Sequence, residues 1–466
     1  MNRLLAAGKG LYGTLPPFGR GAAASAYGYF LRWWRYGPGL EDRVEAARER
    51  ETWSSTDWDR WAEARLAHVL ERAATRVPYY RSLWRQRRAD GDERSWTRLE
   101  NWPILDKQQL RRQPSAFLAD DVDRRTLFES RTSGTTGIPL TLWHSQQTAR
   151  AWYGLNELRS RRWYGLDVRT PWAILGGQAV IPLEQRRPPF WTWNAGLRQL
   201  YMSSMHISPS TAADYADAMV RHGVRYLYGY SSTMYLLARM IRERGVVAPR
   251  MVVAISNAEP LLPHQRELIG ETFGCPVRET YGMSEMVAGA SECEAGRLHV
   301  WPEAGMLEVL APDGRRLGPG VGGEFVCTGL LNDDMPLVRY RVGDHGSVAP
   351  DAPPCACGRT LPSIADIDGR VTDNLTTPDG RRFFAVNAVF EGLPIHERQV
   401  IQQALDHIEV HVVPDEGFGP EDERLIIERL RQRVGTVRID IRRVERIPRG
   451  SNGKFKNVVN LVANDR

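Results

Sequence analysis

Apolar residues recur at helical spacing through the first 120 residues of the chain. In the stretches 57–76 and 95–113 they lie on one face of a 3.6-residue period, with charged residues between them. Both stretches therefore predict amphipathic helices, and the N-terminal part of the chain is predicted to be mostly helical.

From residue 121 to residue 370 the pattern changes to short apolar runs that alternate with helix-like segments. The runs 172–175, 226–228 and 251–255 predict strands, and residues 232–244 predict a helix that follows the second of them. This alternation is typical of an α/β domain with a partly parallel sheet.

A third pattern occupies the end of the chain. After Arg370 the sequence predicts a strand, a helix over 421–434 and a further strand over 438–444. We therefore predict fold class α/β, with a large N-terminal α/β domain (1–370) and a small α+β C-terminal domain (371–466).

Composition excludes several classes of function. The 466 residues have a formal net charge of +6, and their basic residues form no block of the kind that binds nucleic acid. The absence of an apolar run of 18 residues argues against a transmembrane helix. The five cysteines are an odd number without framework spacing, which favours a reducing compartment, so we expect a cytoplasmic protein.

The most informative motif is a short run of hydroxyl and glycine residues. It comprises Thr132, Ser133, Gly134, Thr135, Thr136 and Gly137. Glycines let backbone N–H groups approach an anion closely, and hydroxyls add hydrogen-bond donors. The run therefore predicts a cradle for nucleotide phosphates, although such residues also form ordinary polar turns. It is not a P-loop, because no Gly-x-x-x-x-Gly-Lys-Ser/Thr occurs in the chain.

Two further motifs offer groups that a nucleotide needs. Asn257, Ala258 and Glu259 follow an apolar run, and ligands of open α/β sheets bind beyond the carboxyl ends of strands. In the next motif Tyr281 offers a stacking face, and Glu285 is a hard oxygen ligand that suits Mg²⁺. Each string alone also fits a turn or a helix cap.

A carboxylate and a lysine complete the set. Asp344 follows a probable turn, where it would accept hydrogen bonds from both ribose hydroxyls, and Lys454 lies on a Gly/Ser-rich loop. Lysine is scarce in this chain, which has Lys9, Lys107, Lys454 and Lys456 only. Each lysine therefore warrants attention, although a lysine on a loop is often only solvated.

In this order the motifs resemble the adenylate-forming (acyl-CoA synthetase) superfamily, within it the phenylacetate–CoA ligase and CapK-like branch. The resemblance spans roughly residues 25–462 and rests on 133–140, 281–285, 339–344, 369–370 and 453–456. It implies an N-terminal adenylation domain and a mobile C-terminal lid domain. Many members have an Asp two residues after the Arg of the joint, where this chain has Thr372 followed by Asp373, so the pivot residue stays open.

The resemblance also implies a role for each motif. Residues 132–137 would hold the ATP phosphates. Nucleotide contacts would also come from Asn257, Ala258, Glu259, Tyr281, Gly282, Ser284 and Asp344. The catalytic residues would be Lys454, which bridges the carboxylate and the α-phosphate, Glu285, which binds Mg²⁺, and Arg370 beside the nucleotide. Tyr228, Gly229 and Tyr230 would border the acid pocket.

Three functional hypotheses follow. The first is a ligase that activates a carboxylic acid with ATP as an acyl-adenylate, releases pyrophosphate and transfers the acyl group to CoA. The second keeps this activation and transfers the acyl group to an amine. The third is a non-enzymatic nucleotide sensor, which Lys454 argues against because a binding module has no need of a catalytic cation.

Cysteine and histidine spacing also suggests a metal site. Cys293 and His299 are separated by five residues, and Cys355-Ala356-Cys357 lies further on beside Pro and Gly. A Cys3His set suits a structural, tetrahedral Zn²⁺, and the branch carries similar sets. The alternative is that these thiols are unrelated.

Overall fold

The chain folds into a large sheet flanked by helices, followed by a small C-terminal sheet. The computed structural model describes residues 12–131, 140–177, 180–182, 184–350, 353–370, 375–378, 382–383, 386–390, 392–449 and 455–462. Within these residues the α-helices are α1 (Pro17–Tyr36), α2 (Leu40–Arg50), α3 (Ser55–Arg76), α4 (Pro78–Ala89), α5 (Lys107–Arg112), α6 (Gln146–Ser160), α7 (Ala212–Arg221), α8 (Ser231–Glu243), α9 (Pro263–Phe273) and α10 (Pro420–Val434).

The strands of the N-terminal part form a short hairpin and the large sheet. The hairpin pairs β1 (Phe128–Arg131) with β2 (Thr141–His144). The sheet contains β3 (Trp172–Gly176), β4 (Trp191–Asn194), β5 (Gln199–Ser203), β6 (Tyr226–Gly229), β7 (Val253–Ser256), β8 (Val277–Gly282), β9 (Gly289–Glu292), β10 (Leu298–Val300), β11 (Gly305–Leu310), β12 (Gly323–Gly329), β13 (Tyr340–Val348) and β14 (Ser363–Arg370).

The helical prediction for the N-terminal part is confirmed in one stretch and wrong in the other. Residues 57–76 lie in α3, which begins after Ser54, whose hydroxyl accepts the N–H of Asp57. The stretch 95–113 is not one helix: it contains a 3-10 turn over Leu99–Asn101 and the short helix α5. Pro103 separates them, because proline disfavours helical backbone in the residue before it.

The partly parallel sheet predicted from the apolar runs is confirmed. Its strand order is β11-β12-β13-β14-β10-β9-β8-β7-β6-β3-β5-β4. Strands β5, β3, β6, β7 and β8 run parallel, and the other neighbours pair antiparallel. The predicted runs 172–175 and 226–228 lie in β3 and β6, the run 251–255 overlaps β7, and the predicted helix 232–244 corresponds to α8.

The register of the parallel strands brings their carboxyl ends to one edge of the sheet. Gly229 at the end of β6 pairs with Ser256 at the end of β7, and Ser256 pairs with Glu279 of β8. Residues that follow these strands therefore meet at the same edge, where open α/β sheets bind ligands.

The C-terminal part has its own sheet and its own core. Strands β17 (Ile395–Ala404), β18 (His407–Pro414), β19 (Arg438–Arg443) and β20 (Val458–Asn460) are ordered β19-β18-β17-β20. They follow the short pair β15 (Leu375–Thr376) and β16 (Arg382–Phe383). The helix α10 packs its buried residues into the same core, which confirms the predicted α+β character. The domain boundary at residues 370 and 371 stays a prediction.

Among the described helices, none is long and apolar enough to cross a membrane.

One buried histidine predicts how stability depends on pH. His144 ends β2 and lies beside the Phe128 ring. Burial, followed by the nearby Arg35 charge, lowers the pKa of His144 from 6.5 to about 4. Between these values the unfolded chain binds a proton that the folded chain does not, so stability falls as pH falls from 6.5 towards 4.

Between pH 7 and pH 5 the free energy of unfolding should fall by about 1–2 kcal/mol less in His144→Gln than in the wild type, as measured by urea unfolding. Thr141→Ser in the same strand changes no titratable group; it is the control and should keep the wild-type slope. Equal pH slopes for the wild type and His144→Gln would refute the assignment.

Candidate active site

Part of the predicted site lies outside the described residues. This applies to the run Thr132 to Gly137, to Lys454 and to the two candidate pivot residues, Thr372 and Asp373. Arg370 ends β14, where its backbone pairs with Asp344 of β13. The roles of these residues stay predictions.

Asn257 and Ala258 lie at the edge where the parallel strands end. The N–H of Asn257 donates to the carbonyl of Gly229 at 3.0 Å, and Ala258 has a φ of 61°, so the chain turns sharply after β7. Two buried acceptors there, Ser256 Oγ and Asn257 Oδ1, have no hydrogen-bond partner among the described residues. Buried polar atoms are normally paired, so these two atoms suit contact with a ligand.

A hydrogen bond joins the tyrosine of one predicted motif to the carboxylate of another. The Tyr281 hydroxyl at the end of β8 donates to Asp344 Oδ2 of β13 at 2.8 Å. Asp344 is buried, whereas Gly282 and Ser284, which follow Tyr281, are exposed. Although the two motifs are 63 residues apart in sequence, they are therefore parts of one site.

Glu285 is buried, and one of its carboxylate oxygens accepts hydrogen bonds from two donors. The Tyr340 hydroxyl donates to Glu285 Oε1 at 2.7 Å, and Lys107 Nζ donates to the same atom at 3.1 Å. Because Lys107 is the first residue of α5, the N-terminal helical part contributes a cation to this carboxylate. Sequence reasoning assigned no role to Lys107, although the scarcity of lysine was a signal that singled it out.

The predicted acid-pocket residues lie beside the Asn257 turn. Burial raises the pKa of Tyr228, while hydrogen bonds with Thr280 and Asn257 act in the opposite direction. Tyr230 is half-buried, and burial raises its pKa. Gly229 has a packing reason of its own, since a Cβ there would lie 2.2 Å from the Leu175 carbonyl oxygen.

Glu259 makes contacts that the sequence did not predict. Its Oε2 accepts from the Ser232 hydroxyl at 2.7 Å and from the Ser232 N–H at 3.2 Å. Its Oε1 accepts from the N–H of Phe455 in the C-terminal part at 2.8 Å. The predicted adenine contact of Glu259 stays a prediction, and the described carboxylate contacts the start of α8 and the segment after Lys454.

The structure brings the four predicted metal ligands together. Cys293, His299, Cys355 and Cys357 place one ligand atom each within 4.8 Å of one another. Cys293 Sγ lies 3.7 Å from Cys355 Sγ, and Cys357 Sγ lies 3.4 Å from His299 Nε2. Ligands of a tetrahedral zinc ion with bonds of about 2.0–2.3 Å are separated by similar distances.

Local geometry prepares these ligands for a metal. His299 Nδ1 donates to the Leu361 carbonyl at 2.9 Å, which leaves Nε2 for a metal, and burial lowers the pKa of His299, which favours the neutral imidazole. The N–H groups of Gly296 and Gly358 bond back to the carbonyls of Cys293 and Cys355. The fit is that of a structural site, and the identity of the metal stays a prediction.

The chain is similar to a family model and to several known proteins. Residues 375–461 match the family model of the CapK C-terminal domain. Protein CapK of Staphylococcus aureus is 24% identical over 395 residues, 82% of this chain and 85% of that protein. A phenylacetate–coenzyme A ligase of Thermus thermophilus is 30% identical over 259 residues, 48% of this chain and 58% of that protein.

A solved structure shares the fold. It is a 2-hydroxyisobutyryl-CoA ligase in the post-adenylation state with R3-HIB-AMP, with a TM-score of 0.68 at 21% identity, covering 89% of this chain and 91% of that one. The predicted resemblance is thus confirmed: the chain is a homologue of CapK and the phenylacetate–CoA ligases, and it has the adenylate-forming ligase fold. The predicted enzyme class, an adenylate-forming ligase, is confirmed as well.

We expect the purified protein to contain about one equivalent of zinc, measured by plasma mass spectrometry. Cys293→Ser and Cys355→Ser should lose the metal and lower the melting temperature, because a structural metal stabilises the folded state. Cys275→Ser, which changes a half-buried cysteine outside the cluster, should keep it. A metal-free wild-type protein that melts at the same temperature with and without added zinc would contradict this expectation.

Proposed function

We propose that this protein activates an aromatic or small organic acid with ATP and transfers the acyl group to CoA. The observation that carries the proposal is the hydrogen bond from Tyr281 to Asp344 at the edge where the parallel strands end. It joins two predicted nucleotide motifs near Ser256 Oγ and Asn257 Oδ1, which have no hydrogen-bond partner among the described residues.

The proposed first step makes a poor acyl donor reactive. A carboxylate oxygen of the acid attacks the α-phosphorus of ATP, the bond from that phosphorus to the bridging oxygen breaks, and pyrophosphate leaves. The reacting groups are anions, so catalysis needs cations where charge develops. Lys454 is proposed to supply one of them, and Mg²⁺ held by Glu285 another.

The proposed second step transfers the acyl group. The sulfur of CoA attacks the acyl carbon, the thiol proton is lost and AMP leaves. The names of the relatives, phenylacetate–CoA ligases, support CoA as the acceptor and an aromatic acid as the first substrate to test.

A screen of carboxylic acids for pyrophosphate release, beginning with phenylacetate, tests the activity. Mass spectrometry of the products with CoA or with amines then identifies the acceptor. Thioester formation supports the proposal, and amide formation with no thioester would overturn the CoA assignment. ATP binding without pyrophosphate release for any acid would overturn the proposal.

Lys454→Ala should lower acid-dependent pyrophosphate release by about 10²–10³-fold, the scale found for single electrostatic catalytic groups. Steady-state kinetics with the acid found in the screen measures this loss. Lys456→Ala removes a neighbouring exposed lysine and is the matched control. Similar rates for the two variants would refute the role of Lys454.

We propose that the positive charge of Lys107 offsets the repulsion between the Glu285 carboxylate and a bound triphosphate. In Lys107→Met the carboxylate has lost its cation, so ATP without Mg²⁺ should bind about 10-fold more weakly. Binding of Mg·ATP should change less, because the metal supplies positive charge. Calorimetric titrations with and without Mg²⁺ measure both, with Arg112→Met on the same helix as the control. Equal losses in the two titrations would contradict this role.

A further inference from the structure

Polar contacts between described residues connect the C-terminal part with α8 and with the turn after β7. One is the bond from the Phe455 N–H to Glu259 Oε1, at 2.8 Å. Another joins the Tyr235 hydroxyl of α8 to His396 Nδ1 of β17 at 3.1 Å, and His396 Nε2 in turn lies 3.0 Å from Asp415 Oδ1. The first contact is the one that touches a predicted nucleotide motif.

The Glu259 side chain is held in position by the large domain. Its Oε2 accepts from both the N–H and the hydroxyl of Ser232, in the first turn of α8. A carboxylate at a helix N-terminus is stabilised by unpaired N–H groups and by the helix dipole. Because Oε2 is occupied in this way, Oε1 is presented towards the C-terminal part in a defined direction.

Contacts within the small domain fix the position of Phe455 in the same way. The Gln399 side chain donates to the Lys456 carbonyl at 3.0 Å, and the Val400 N–H donates to the Asn457 carbonyl at 2.8 Å. The Arg449 guanidinium lies 4.6 Å from the centre of the Phe455 ring. The segment after Lys454 is therefore attached to β17, and its position reports the position of the whole small domain.

We propose that Glu259 is a positioning residue that docks the small domain for the first half-reaction. The inference rests on the proposed function, because the Phe455 nitrogen is covalently bonded to Lys454, whose ammonium group is proposed to act in adenylation. Docking through Oε1 couples this lysine to the turn after β7, where the nucleotide is proposed to bind. In this superfamily the second half-reaction is expected to use a different domain orientation, in which this contact would be broken.

Hydrogen exchange tests the docking contact without any knowledge of the acid. In Glu259→Ala the Phe455 amide should exchange about 10-fold or more faster than in the wild type, the effect of losing one hydrogen bond to a charged group. Ser232→Ala removes the hydroxyl that holds Oε2 but leaves the Phe455 bond, and should change this rate less. An unchanged rate at Phe455 in Glu259→Ala would overturn the inference, whatever the enzyme's activity.

The two half-reactions test the purpose of docking, with the acid found in the screen. Glu259→Ala should slow acid-dependent ATP–pyrophosphate exchange by about 10- to 100-fold. Thioester formation from saturating acyl-adenylate and CoA should be slowed less than this exchange reaction, whereas a merely structural defect would slow both steps equally. Glu259→Gln retains an acceptor oxygen and should restore part of the exchange rate.

Exposed Glu267 on α9 offers the matched control, and Glu267→Ala should keep both rates. Equal losses in the two half-reactions of Glu259→Ala would overturn the positioning role. Failure of every acid in the wild-type protein would count against the proposed function, while the exchange rate at Phe455 would still decide the docking contact.

Discussion

The parallel register of β6, β7 and β8 is the constraint on which the site depends. Because Gly229, Ser256 and Glu279 are paired neighbours, the three segments that follow them emerge side by side. Gly229 preserves this register, since any side chain there would collide with the backbone of β3. Strand pairing therefore brings the parts of the site together, although the segments that follow the strands are distant in sequence.

Three carboxylates at this edge each accept hydrogen bonds from neighbouring donors. Asp344 has the Tyr281 hydroxyl, Glu285 has the Tyr340 hydroxyl and Lys107, and Glu259 has Ser232 and the Phe455 N–H. Buried carboxylates are costly unless they are hydrogen-bonded, and a triphosphate nearby would add repulsion. The pairing orients these groups before a nucleotide arrives.

The cysteine cluster lies near the ends of β9 and β14 that are opposite the candidate site. Cys293 follows β9, which pairs with β8 and so with Tyr281, whereas Cys355 and Cys357 precede β14, which ends at Arg370. A metal held by these residues and His299 would tie together two turns that flank the antiparallel half of the sheet. Such a metal would have a structural role and would need no part in the chemistry.

The local sequence pattern predicted secondary-structure elements of this protein and the residue types of its candidate sites. Apolar periodicity predicted β3, β6, β7 and α8, and residue types predicted the Cys3His set and the pairing of the Tyr281 and Asp344 motifs in one site. The predicted helix over 95–113 was wrong because hydrophobic periodicity takes no account of Pro103, which disfavours helical backbone in the residue before it. Tertiary structure alone decided that Lys107 meets Glu285 across 178 residues and that Glu259 meets Phe455 across 196. Periodicity reports the burial of each segment, whereas such contacts depend on strand order and on how two domains face each other.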